Sequence, residues 1–417
     1  MKTKTLIATI IVSSFCILHS AFAQGSLTPP GAPAPTMKTL SQIEARTPIS
    51  TAPFTITQPG SYYLTTNVTV SGGANTNAIF IAASQVTLDL NGFTISSSSP
   101  TAKGAGIMIG SAHTNIAIFN GSIAGGVTES GGVFSGSGFD SGINFIIDTN
   151  NTNTYGVPYN VRVSNVSVSG CLNYGIFLYL QSTLVDSCTV QTVGSYGIVA
   201  SLVRNSTAMD CGNVAIDCNQ ASHCQGQCVA AGWGIYAGYS ADNCSGSSVG
   251  EDGIHTQLAQ NCSGSGVASG YQGIYADVAQ NCYGSSVNGT GLFASTSAIN
   301  CDGYGFTAGL VGGETAENCY GRANTNGVGL LAHNANNCAG YCPAGNSGYG
   351  LSADLANNCF GQHDGNGIGL YATSVAIGCE GRCYGNNFGI SASILNSCTY
   401  YRQTGTPGYA GTKYNMP

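Results

Sequence analysis

The segment Ala259–Gly284, AQNCSGSGVASGYQGIYADVAQNCYG, states one phrase and then begins it again. Aligned on that phrase, cysteines form a column at Cys224, Cys244, Cys262, Cys282, Cys301, Cys319, Cys338, Cys359, Cys379 and Cys398, at steps of 18 to 21 residues. Cys188 and Ser206 extend it upstream. A second column interleaves, nearly always preceded by Gly: Ile176, Ile198, Ile216, Ile235, Ile254, Ile274, Leu292, Leu310, Leu330, Leu351, Leu370 and Ile390. Ile79, Ile107 and Ile143 bring it to fifteen members. A unit near twenty residues cannot bury its apolar face alone, so it must stack on its neighbours as a solenoid.

The unit is rich in Gly, Val, Ile, Tyr and Ser and shows no apolar stripe at helical spacing, so it reads as short strands. In Gly273-Ile274-Tyr275-Ala276, Ile and Ala share one face and Tyr takes the other. Branched and small residues at alternate positions suit a narrow interior. Parallel stacking at about 4.8 Å per coil gives a right-handed parallel β-helix, all-β, of about 15 coils and roughly 70 Å. The residue before each Cys is Asn in seven successive coils, Asn243 to Asn358. Stacked amides can hydrogen-bond along the axis, and Asn tolerates the left-handed backbone of a sharp corner.

Upstream, VTLDLNG (Val86–Gly92) and IAIFNG (Ile116–Gly121) follow the same logic on longer coils. The surplus falls at Gly125–Gly138 and Asp148–Asn160, expected as protruding loops. Residues 1–23 read as a signal peptide: Lys2 and Lys4, an apolar run Leu6–Leu18, then Ala21-Phe22-Ala23, with a cut at Ala23/Gln24. A secreted or periplasmic protein is expected. Residues 24–57 form a Pro-rich leader and a short capping helix, Thr36–Arg46; residues 58–400 are the β-helix and 401–417 a tail or cap. Without Lys2 and Lys4, nine basic residues face eighteen acidic ones, a formal charge of −9. That disfavours nucleic acid and anionic membrane as partners, which call for clustered Lys and Arg. Sixty glycines read as frequent turns.

These columns resemble the right-handed parallel β-helix proteins of the pectate-lyase-like superfamily, with their inward Asn ladders. ITQPGSYYL and VTLDLNGFTI look like the opening coils of exported bacterial members whose activity is usually unassigned. The resemblance implies a fold, not a reaction, because the superfamily holds lyases, hydrolases, epimerases and adhesins. Their signatures are absent: Arg162, Arg204, Arg322, Arg382 and Arg402 sit beside no acidic cluster, and there is no Asn-Thr-Asp, Asp-Asp, Gly-His-Gly or Asp-Pro-His.

Seventeen cysteines follow the signal. In-register neighbours lie farther apart than a disulfide allows, so the main column is expected reduced and buried. Cys211 and Cys228, off the column, are the one disulfide expected. The pairs Cys224/Cys228, Cys338/Cys342 and Cys379/Cys383 have zinc-like spacing, but each first member belongs to the core, and no metal or cofactor is expected.

On the outer wall, Tyr236, His255, Tyr275 and Phe293 form an aromatic stripe over four coils. Its rings can stack on sugars, or can simply stabilise a sheet face. Beside it, Asp217, Asn219, Gln257 and Asp277 make a polar patch, with Glu251 and Asp252 at the nearby corner. His255, Asp277 and Asp217 are the candidates for acid–base chemistry, against a solvated surface with an incidental His. Glu129, Asp140 and Asp148 fall in the long loops.

Two functions fit. One is an exported, non-catalytic solenoid that binds polysaccharide or serves as a surface or envelope element. The other is a lyase, glycoside hydrolase or epimerase acting on acidic polysaccharide at the His255 face.

Overall fold

A computed structural model describes residues 45–71, 76–145, 157–324, 326–343, 345, 347–402 and 409–416. The expected signal peptide, most of the expected capping helix and Asp148 lie outside these residues. Residues 47–417 form one unit, separate from Met1–Arg46.

One turn explains the rest. The strand Ile274–Gln280 starts on a first sheet, bends after Ala276 where the register skips Asp277, and continues on a second sheet. Asn281 then turns the corner with φ of 53°, Cys282 points inward, and Tyr283–Ser286 forms a strand of a third sheet. Each strand pairs in parallel with its own copies on adjacent turns: Ile254 with Ile274 and Leu292, Ala259 with Ala279 and Ala298, Gly264 with Gly284 and Gly303. The chain is a right-handed parallel β-helix.

The aliphatic column from Ile79 to Ile390 stacks without a break and is fully buried. About twelve turns are of regular length, fewer than the fifteen coils expected, because Ile79, Ile107 and Ile143 stack on longer, irregular coils. No helix occurs among the described residues. Pairing also reaches beyond 58–400: Thr47–Ile49 pairs with residues 62–64, and Tyr409–Tyr414 adds a strand to Ile390–Asn396.

The cysteine column is buried, and all seventeen described cysteines are free. Cys262 Sγ lies within hydrogen-bond reach of the carbonyls of Gln260 (3.1 Å) and Ala241 (3.3 Å), so its one proton can serve its own turn or the one before. Cys211 and Cys228 stack in register, but the expected disulfide is not formed.

The asparagines before the cysteines all have positive φ, 51° to 53°. Asn281, Asn300 and Asn318 each donate Nδ2 to the Oδ1 of the Asn one turn earlier, at 3.1 to 3.2 Å. This ladder is exposed, not inward as the resemblance implied. The corner backbone turns the thiol in and therefore the preceding amide out.

The glycines do more than turn the chain. A Cβ on Gly264 would lie 2.1 Å from the Gly273 oxygen, and one on Gly273 would lie 2.3 Å from the Ser285 nitrogen. First and third sheets thus meet backbone to backbone here, and the Gly before Ile274 and the Gly two residues after Cys262 are what allow it. The segment Gly125–Gly138, expected as a protruding loop, is an antiparallel hairpin of Gly126–Ser130 with Val133–Ser137 that buries Val127 against the wall of the helix.

Candidate functional site

The outer column of the first sheet reads Val199, Asp217, Tyr236, His255, Tyr275, Phe293 in strand register. Parallel pairing puts these side chains one strand spacing apart, so their rings must stack. Tyr236 and His255 lie 5.4 Å apart at 25°, His255 and Tyr275 4.5 Å at 6°, Tyr275 and Phe293 5.1 Å at 12°. The stripe exists, but each ring covers its neighbour's face. Planes stacked along the axis turn their edges to solvent, which leaves the Tyr hydroxyls and one imidazole nitrogen as the outward chemistry.

Behind His255 stands Asp252, only 3% exposed. Its Oδ2 accepts from His255 Nδ1 at 2.9 Å and its Oδ1 from the Gln272 backbone N–H at 2.7 Å. A buried carboxylate requires such partners, and its bond to Nδ1 leaves Nε2 as the free lone pair. Trp233 closes the same side, 5.0 Å from the Tyr236 ring and 5.9 Å from His255. Neither the Asp252 contact nor Trp233 was part of the expected site. The Asp-x-x-His spacing across the corner was the available signal. Desolvation raises the neighbouring Glu251 carboxyl, as does the Asp252 charge.

Tyr236, His255, Gln257, Tyr275 and Asp277 line one shallow depression of ≈ 150 Å³. Asp277 accepts from the Ser295 hydroxyl at 2.7 Å. Asp217 is not among them. It stacks beyond Tyr236, two strands from His255, and burial pushes its carboxyl up to about 6. Its Oδ1 is buried without a hydrogen-bond partner. Asn219 is occupied, donating to the Leu180 carbonyl and the Ser201 hydroxyl. The loop acids serve their own loops: Glu129 takes the Gly132 N–H, and Asp140 the Asn173 amide and Ser141 hydroxyl.

No protein-family model matches the chain, and no curated protein matches it. Solved structures similar to it include the A-modules of two Azotobacter vinelandii mannuronan C-5 epimerases. AlgE6 is 13% identical, over 86% of this chain and 90% of that one, with a TM-score of 0.25. AlgE4 is 12% identical, over 85% and 91%, also at 0.25. At those values the likeness carries no argument about this chain, whose fold stands on its own strand register.

Metal chemistry finds no support in the side chains. No group of three or more His, Cys, Asp or Glu among the described residues is arranged to hold an ion. Cys342, His363 and Cys383 do stack on successive turns. Yet His363, fully buried, accepts the Gly365 N–H on Nδ1 at 2.9 Å and meets the Ser347 carbonyl through Nε2 at 3.2 Å, so neither nitrogen is free. A second His–Asp pair unforeseen from sequence, His333 with Asp354 at 3.3 Å, lies farther along the bend between the first and second sheets and is well exposed.

Proposed function

We propose that this is an exported polysaccharide-binding β-helix that holds a neutral glycan against the first sheet without cleaving it. The observation that carries this reading is the edge-on stack of Tyr236, His255 and Tyr275 beside Gln257 and Asp277. It offers hydrogen-bonding groups at one-strand intervals along the axis, a row suited to the hydroxyls of an extended chain. Neutral glycan is favoured because carboxylates cluster here and no Lys or Arg lines the depression.

One distance and the want of a cationic side chain argue against cleavage. Asp217 and Asp277 are three turns apart, roughly 14 Å at the parallel strand spacing. A pair that flanks a glycosidic bond sits at about 5 to 9.5 Å. Abstracting the proton beside a uronate carboxylate also needs that charge neutralised, and no cation lines the depression to do it. Export rests on the N-terminal leader.

One observation favours the alternative, an acid–base enzyme on polysaccharide: the buried Asp252 that orients His255. Incubating the protein with a glycan panel separates the two. Binding lost in Tyr275→Phe and His255→Ala, with no change in the glycan, is the expected result. New reducing or unsaturated ends, abolished by His255→Ala, would establish the enzyme instead. No binding to any glycan would refute both.

A further inference from the structure

We propose that the third sheet carries a second, independent glycan track, built for an extended β-linked chain lying along the solenoid axis. Two outward columns run side by side there. One reads Tyr283, Asp302, Tyr320, Ala339, Phe360; the other includes Tyr304, Arg322 and Tyr341. Tyr283 and Tyr320 are 49% and 41% exposed, and neither side chain makes a ring contact or hydrogen bond with a described residue.

Spacing separates this face from the first sheet. There, aromatic residues occupy successive turns and cover one another. Here Asp302 and Ala339 separate them, so the rings recur every second turn, roughly 10 Å apart. At that interval no ring shields its neighbour, and the faces of Tyr283 and Tyr320 are open for the C–H faces of sugars, while Arg382 lies over the Phe360 ring. Two turns also match about one disaccharide of an extended β-linked glycan, in which every second sugar presents the same face. A chain laid along the column therefore meets the Tyr283 and Tyr320 rings in phase.

The neighbouring column supplies the polar contact. Arg322 lies between the Tyr304 and Tyr341 rings, 5.6 and 5.2 Å from their centroids, which fixes an exposed guanidinium two residues from Tyr320. No described carboxylate pairs with it, whereas Arg382 is engaged by Glu380 and covers the Phe360 ring. Arg322 is thus placed to donate to ring hydroxyls, or to a carboxylate, of the sugar on Tyr320.

The test is titration calorimetry of the full chain with cellohexaose, chitohexaose and a β-1,4-linked uronate hexamer, with α-linked maltohexaose as control. At least one β-linked probe binds and maltohexaose does not. Tyr320→Ala weakens that binding roughly tenfold, the size expected for one lost stacking platform. The tenfold loss is the same when Tyr320→Ala is made in a Tyr275→Phe background, which distinguishes this face from the first-sheet groove. Absence of binding to every β-linked probe, equal binding of maltohexaose, or unaltered affinity in Tyr320→Ala overturns the proposal. So does a concentration-dependent dimer that Tyr320→Ala dissolves, since the rings would then serve a second copy of this chain.

Discussion

Replacing Asp217 by Asn removes a charge that the fold disfavours. Burial raises this carboxyl from 3.8 to about 6, and one of its oxygens is buried without a partner. Below the unfolded-state value both states hold the proton and the site makes no demand. Between about pH 4 and 6 the unfolded chain releases its proton while the folded chain keeps it, so stability falls as pH rises. Above 6 the loss is complete. A shift of about two units corresponds to about 3 kcal/mol. Asp217→Asn has nothing to ionise, so it gains on the wild type by up to about 3 kcal/mol at pH 7.5 and by little at pH 3.5. A solenoid opens turn by turn rather than all at once. The readout is therefore hydrogen exchange of the strand Ile216–Ser222, compared between the two proteins at each pH. Equal differences at both pH values, or a wild type better protected at pH 7.5, would refute the reasoning.

Two further outcomes test the inner wall. Gly264→Ala places a methyl 2.1 Å from the Gly273 oxygen, a backbone atom that cannot yield. The variant should lose more than about 3 kcal/mol or fail to fold, whereas Gly238→Ala, with nothing nearer than 3.7 Å, should melt almost as the wild type does. The seventeen described cysteines are buried and free, and burial pushes Cys171 up to about 12 and Cys188 to about 11. A thiol reagent should find none of them in the folded protein and all seventeen after denaturation; fast labelling of the folded row would break the tube.

The interior could be read from the sequence because every inward residue packs on its own copy. A Cys or Ile that fits one turn fits the next, so the solution is written repeatedly and the period shows itself. The same period exposed the Asn corner, and the positive φ angles agree. Its direction was not visible, because an alignment of one chain shows what recurs along a column but not whether the side chain points in or out. The glycine columns were visible too, but their reason was not. That Gly264 meets Gly273 depends on which sheets face each other across the tube, a relation the repeat does not encode.

The outer wall obeys a different constraint, and this decides where function is written. Sequence placed Tyr236, His255, Tyr275 and Phe293 in one row, yet the one-strand spacing that makes them neighbours also stacks them face to face. An unbroken aromatic run is thus the arrangement least able to stack on a sugar, and the interrupted series through Tyr283 and Tyr320 the more able. That series escaped notice because interruption hides it from any search for runs. Asp252 was placed at the corner but not against His255: it is a departure from the repeat, where the aligned turns have no carboxylate, and its burial beside the imidazole is what the repeat could not show. Inward positions are held alike by stacking, whereas outward ones are free to differ. In a fold of this kind the chemistry is therefore to be sought where a column breaks its own pattern, as Asp217 does between Val199 and Tyr236.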